Sequence, residues 1–364
     1  ATSPAASSGF LICADILLLQ EDARSISVDL VFSAGSIQKH NDLNLVELRL
    51  LLSGEEGWIE RKHAITQVEK ESDAGASPGI FLFKNTMRLN ISLSASDPAM
   101  APLDSKLHDT RFSQKEPAIF VECLNTDGKP SAYQFMKDAV IKTVNISVSA
   151  KCRAGLLLQN NHALIDPSKP FMPFGPAPKV GSSFIIGCPT VFHQAIDKLT
   201  LTGKWNDLPE AGLEDHYEKL DSSINYESFT ASRSYRRNGN WHKHSADSSN
   251  GKKLFQSNTS DSFEMVFHDS GEWDVGPEEE TEKFDIKSKG GFIRLELDNN
   301  SGFAFGHKSY PKKLTEQAMK ESAAVIDTCP EDYSGSLPNE PYTPLLSDFA
   351  ISFESSASIS LSLS

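Results

Sequence analysis

Apolar and polar positions alternate with a period of two along most of this chain. The clearest run is Arg24 to Ser33, where Ile26, Val28, Leu30 and Phe32 interleave with Ser25, Ser27, Asp29 and Val31. That is the pattern of a half-buried strand. Similar runs follow: Ile80 to Phe83, then Met87, Leu89, Ile91 and Leu93, then Val140, Lys142, Val144, Ile146 and Val148. Leu-Thr-Leu-Thr-Gly-Lys-Trp before Asn206, Leu254-Phe255, Phe263 to Phe267 and the closing Phe349 to Ser364 also read as strands. Asn238-Gly239 is the strongest two-residue hairpin signal. A further hairpin is expected over Gly290 to His307, with Asp298 to Gly302 at its tip. Helical periodicity is scarce. A turn or two is expected after Pro189, a short helix at Gly212 to Leu220, and one longer helix near 311–325, where Pro311 suits a first-turn position.

Turn clusters divide the chain into a β domain over 1–105, a second over 106–209 and a third over 210–364. The resulting class is mainly β: multiple β-sandwich-like domains with a few short helices and long proline-rich straps. The first strap organises the middle of the chain. From Leu156 to Gly187 it carries Pro167, Pro170, Pro173, Pro176 and Pro178, with Phe171, Met172 and Phe174 between them. Each proline fixes its φ, lacks a backbone donor and pushes its predecessor towards extended geometry, which excludes a helix or a central strand. The apolar side chains need a groove on this chain or on a neighbour. Pro170, Phe171, Met172, Pro173, Phe174, Pro176 and Pro178 are therefore the candidate assembly residues of a strap spanning 166–187. Ser336 to Leu346 is a second proline-rich strap.

Composition narrows the function classes. Of 364 residues, 39% are hydrophobic and 23% charged, enough for a sizeable core. A net charge of -14 argues against nucleic acid or an anionic membrane as the main partner. Cys13, Cys123, Cys152, Cys188 and Cys329 are scattered and form no Cys-x-x-Cys pair, which fits reduced, mostly buried thiols rather than disulfides or a zinc site. The opening residues carry no basic leader and are not read as a signal peptide, and the lack of an initiator Met leads to the expectation of a processed or excised piece of something longer.

Catalytic chemistry finds no foothold. His242 and His244 would supply two ligands of a metal site from one strand face, and no third is suggested. Ser36 with Lys39, and Ser249 with Lys252, match a Ser-x-x-Lys spacing but lack its companion motifs. Glu278, Glu279, Glu280 and Glu282 form a charge run that reads as a solvated loop. Trp58, Trp205, Trp241 and Trp273 each lie in or beside an alternating run, so core burial is expected. No catalytic, metal-ligating or cofactor-binding residue is assigned, no cofactor is expected, and the chain is read as not an enzyme.

Several segments nevertheless resemble one family. They are ILLLQEDARSISVDLVFS, LSGEEGWIE, NNHALIDPSKPFMPFGPAPKVGSSFIIG, VFHQAIDKLTLTGKWNDLP, GGFIRLELDNNSGFAFGHKSYPKKLTEQA and LPNEPYTPLL. In this order, over most of residues 10–350, they look like the baseplate J-like wedge proteins of contractile injection systems. These are phage-tail-like particles related to contractile phage baseplates and type VI secretion. Asp166 to Gly187 and Ala304-Phe305-Gly306-His307-Lys308 are the most specific parts. The resemblance implies a structural wedge component that assembles around the spike and hub and connects to the sheath. Its partners would be copies of itself, a second wedge protein, the hub or spike and the sheath, with no nucleic acid and no small-molecule substrate. It implies assembly in the bacterial cytoplasm, into a contractile particle either released or membrane-associated, and it brings no catalytic residues. Proteins of this kind are usually longer, so the chain would be their β-rich part. A second expectation, of a different class, is a carbohydrate- or surface-binding β-sandwich that uses exposed tryptophans. A hydrolase on a β scaffold is a third.

Overall fold

A computed structural model describes residues 8–20, 22–37, 43–110, 112, 114–125, 128–188, 191–192, 195–244, 251–268, 283–297, 303–327 and 337–361. The protein is mainly β, as its alternation predicts. It divides into two compact units, the first comprising Ala1–Ala154 with Phe353–Ser364 and the second Gly155–Ser352.

The first unit contains β1 (Ser8–Cys13), β2 (Arg24–Phe32), β3 (Glu47–Gly54), β4 (Gly57–Gln67), β5 (Gly79–Phe83), β6 (Thr86–Leu93), β7 (Ala118–Cys123), α1 (Ala132–Met136) and β8 (Ile141–Cys152). One sheet runs β1-β7-β3-β4, all antiparallel. β4 then changes partner: its Ile65 to Gln67 pair in parallel with Ile80 to Leu82 of β5. From there the second sheet runs β5-β6-β2-β8. Period-two patterning fixes the register, since a one-residue slip would turn every apolar side chain outward. Accordingly Ile26, Val28, Leu30, Met87, Leu89, Ile91, Ile146 and Val148 are all buried.

The second unit contains β9 (Leu157–Asn160), β10 (Leu164–Ile165), β11 (Ser183–Gly187), β12 (Lys198–Asn206), α2 (Leu213–Tyr217), β13 (Thr230–Arg237), β14 (Asn240–Lys243), β15 (Lys252–Lys253), β16 (Ser262–His268), β17 (Phe292–Leu297), α3 (Tyr310–Asp327) and β18 (Leu345–Ser360). One sheet runs β10-β9-β11-β17-β13-β14, with β15 also on β13. The other places β12 between β16 and β18. β18 is divided: its residues to Ser352 belong to this unit and those from Phe353 to the first. Asn238-Gly239 forms the expected hairpin turn, with φ of 48° and 76°, between Arg237 and its partner Asn240.

Several expectations are corrected. The chain has two compact units, not divisions at 105 and 209, because β7 and β8 pair with β3 and β2. Turn residues mark where strands stop but not which strand they join. Within the stretch read as one strap, β11 is a central strand between β9 and β17. The prolines end at Pro178, so nothing forbids pairing beyond it. The hairpin expected over Gly290 to His307 has only its first arm, β17. Ala304–Gly306 is a 3-10 helix with φ of 38° at Ala304 and 67° at Phe305, and the tip lies outside the described residues. Leu254 follows β15 as a bend and Phe255 lies in no strand, and the described residues between Val191 and Asp197 form no helix. Among the described residues no helix is long and apolar enough to cross a membrane.

Candidate functional site

The strap is built on its own unit by backbone pairing, an amide clamp and two rings. Phe171 exchanges both backbone bonds with Leu346 of β18, N–H to O at 2.9 Å and O from N–H at 2.8 Å. That bridge is possible because Phe171, unlike the prolines around it, keeps its donor. At the end of β9, Asn160 accepts from the His162 and Ala163 amides at 2.8 and 3.0 Å and donates to Met172 O at 2.9 Å. A single buried side chain thus closes the turn and holds the strap against it. Asp166 starts the strap with an Asx turn, accepting from the Ser168 amide and hydroxyl, which hold its carboxyl below the usual carboxylate range. Gly175 sits at φ +81°, and a Cβ there would meet the His162 ring at 2.5 Å.

The rings then split the strap into an inner and an outer face. Phe171 lies 5.6 Å from Phe184 of β11 and 6.1 Å from Phe349 of β18, and Phe184 meets Phe349 edge-on at 5.5 Å. Phe174 is 1% exposed, and Pro173 and Pro178 are buried with it. Pro170 and Pro176 face outward, and Met172 is 41% exposed. Of the seven candidates, the two phenylalanines are therefore internal anchors and the methionine is the outward apolar group.

The second strap and the Ala304 to Lys308 segment converge on the same place. The Thr343 hydroxyl donates to Pro176 O at 3.3 Å, which leaves its oxygen to accept from His307 Nε2 at 3.3 Å. Burial lowers the His307 pKa below its ordinary value. Tyr217 of α2 ties the two segments together, its hydroxyl donating to Phe305 O at 3.1 Å and accepting from the Tyr342 amide at 2.9 Å. The Tyr342 hydroxyl donates onward to Asn206 O at 2.7 Å. Phe229, Phe255, Phe303 and Phe305 pack around these tyrosines, which explains how the left-handed Phe305 is held in place. Desolvation raises the pKa values of both tyrosines. Sequence reasoning gives no individual role to Asn160, Tyr217, His307 or Thr343, although Asn160, His307 and Thr343 lie in segments that carry the resemblance. Of these only Asn160 leaves a local signal, the Asn-Asn pair at the end of an apolar run.

The other candidate chemistry does not come together. His242 stacks on Tyr235, whereas His244 is buried past the end of β14 beside Phe267, with Nε2 3.1 Å from His268 O. No group of three metal-ligating side chains occurs among the described residues. Lys39, Ser249, Trp273, Cys329 and the glutamates from Glu278 to Glu282 lie outside the described residues. Trp205 is buried as expected, its indole N–H donating to Leu254 O at 3.1 Å. Trp58 and Trp241 are only half-buried: Trp58 donates to His108 O at 2.6 Å, and Trp241 lies under arginines. Cys188 is buried, but Cys13, Cys123 and Cys152 are half-buried, contrary to the expectation of mostly buried thiols. Each of these three stands in a strand that shows part of its surface. No protein-family model and no curated protein matches this chain.

Proposed function

We propose that the chain is a structural wedge component of a contractile injection system, working as an assembly subunit of the baseplate that surrounds the spike and hub and connects to the sheath. The observation that carries the reading is the two-sided strap. Its inner rings lock it to a β core, and Pro170, Met172 and Pro176 are held outward as a preformed, low-entropy apolar edge. The ordered resemblance over most of residues 10–350 supports the same reading, and its two most specific segments meet at Thr343. On this reading the chain binds copies of itself, a second wedge protein, the hub and the sheath. It assembles in the bacterial cytoplasm into the contractile particle.

The carbohydrate-binding alternative needs a cluster of open tryptophans. Among the described residues Trp205 is buried, Trp58 is half-buried and bonded to His108 O, and Trp241 is covered by two guanidiniums, so no observation favours it. The test is negative-stain electron microscopy of particles from the native source, with and without this chain deleted. Sheathed tubes that appear only when the chain is present are the expected result. Normal particles after deletion, or none in either sample, would overturn the proposal.

A further inference from the structure

The second unit carries a cationic, aromatic surface that the strap leaves unused. In the register of its sheet Arg236 opposes Trp241, and Arg294 opposes Ser234 two residues along β13. Period-two geometry therefore puts Arg236, Trp241 and Arg294 on one face. Both guanidiniums sit over the same indole, Arg294 at 4.7 Å and Arg236 at 5.4 Å from its centroid. Phe284 joins them, 5.4 Å from Trp241 and 5.5 Å from Arg236.

This cluster is short of negative charge. Arg236 donates to two neutral carbonyls, Ile286 O at 2.6 Å and Ser288 O at 2.9 Å, and makes no ion pair among the described residues. Arg294 pairs with Glu296 at 3.1 Å, yet its Nε is buried without an acceptor. Burial lowers the pKa of both, and Arg294 lowers that of Arg236 further, as expected where like charges share a site. From Lys283 to Lys289 three lysines stand against Asp285, although Glu278, Glu279, Glu280 and Glu282 precede them in the sequence.

Phe284 also lines a cleft of about 400 Å³ with His162, Leu164, Lys283 and Ile286, where Asp285 is the one carboxylate. Two of these are large aliphatic side chains left open to water, Leu164 at 60% and Ile286 at 80% exposure. Basic groups beside exposed aliphatics do not suit a sugar, which gains little from Leu and Ile. They suit a peptide, and arginine with tryptophan is the composition of binding hot spots.

We propose that this face binds an extended segment of a partner protein in which an Asp or Glu is flanked by apolar residues. The carboxylate would meet Arg294 and Lys283, and the apolar neighbours would cover Leu164 and Ile286. The surface adjoins the turn that Asn160 clamps to the strap but leaves the outward Pro170, Met172 and Pro176 out, and the inference does not depend on the particle.

To test it, the whole purified chain is panned against a display library of random dodecapeptides, and enriched peptides are titrated by calorimetry. Enriched peptides should share a carboxylate between apolar residues and bind more weakly as salt is raised. Arg294→Gln should weaken binding about tenfold and the fully surface change Lys283→Gln about threefold. Four results would overturn the proposal. One is enrichment of peptides without a carboxylate, or no enrichment, and another is affinity indifferent to both substitutions. The third is preferential binding of polygalacturonate with the same Arg294 dependence. The last is binding that appears only after Glu278, Glu279, Glu280 and Glu282 are changed to Gln, which would make the chain's own acidic run the occupant.

Discussion

The two units solve the problem of burial with different side chains. The first fills its interior with aliphatic residues delivered by strand alternation, among them Ile26, Val28, Leu30, Leu48, Leu50, Leu52, Met87, Leu89 and Ile91. The second buries aliphatic residues such as Ile186, Leu199, Leu201 and Ile293 too, but adds many rings, with Phe171, Phe174, Phe184, Trp205, Tyr217, Phe229, Phe255, Phe263, Phe305 and Tyr342 buried. The contrast follows from the backbone each must hold. Regular ladders satisfy their own polar groups, so small apolar side chains in register are enough. Straps rich in proline offer few ladder bonds, so their order depends on large anchors and on hydroxyls such as those of Tyr217 and Tyr342.

This contrast can be broken at its strongest point first. Phe174→Ala should cost about 3–5 kcal/mol in denaturant unfolding of the isolated chain, the usual scale for deleting a buried ring. A loss below about 1 kcal/mol would mean that the strap is not ring-anchored. Next, Tyr217→Phe should cost about 2 kcal/mol by leaving Phe305 O and the Tyr342 amide without their partner.

The same tyrosine gives a pH signature. Its folded pKa lies above the unfolded value, so above about pH 10 the unfolded chain releases a proton that the native state keeps. Stability should be full below that pH and fall as pH rises beyond it, and Tyr217→Phe should flatten the fall. An unchanged alkaline slope would remove Tyr217 from the account. In the aliphatic unit, Arg88 grips Asp29 at 2.7 and 2.6 Å and also meets Glu71. Arg88→Ala should cost only about 1 kcal/mol, and less in high salt, because the cluster is partly solvated. A cost rivalling that of Phe174→Ala would erase the distinction between the units. The smallest effect belongs to Met172→Ser, within about 0.5 kcal/mol, since the side chain already faces water. Its expected readout is lost assembly at unchanged stability, and a folding defect would contradict an outward role.

Legibility in the sequence follows the same division. β2, β6 and β8 could be read residue by residue because alternation is a local signal. Their partners could not, so turn signals place β7 and β8 in a separate domain although they pair with β3 and β2. In the second unit Phe171 and Phe174 were visible as anchors, since prolines around apolar rings demand a groove. What fills that groove comes from Phe184 and Phe349, far along the chain, and spacing carries no trace of it. The sequence pattern places Phe305 in a hairpin arm and gives no sign of its left-handed backbone, because that conformation is imposed by the rings that enclose it rather than by its neighbours in sequence.

The division of β18 has a consequence for how the protein is made. The second unit, Gly155–Ser352, is an insertion within the first, whose remaining residues follow it from Phe353. A ribosome therefore delivers β1 to β8, then an entire second unit, before the strand that flanks β8 emerges. Until then the β8 edge stays open, with its pairing partner about two hundred residues away, and closing so long a loop is slow. The nascent first unit should be the aggregation-prone species during synthesis, until the residues from Phe353 onward emerge to complete it.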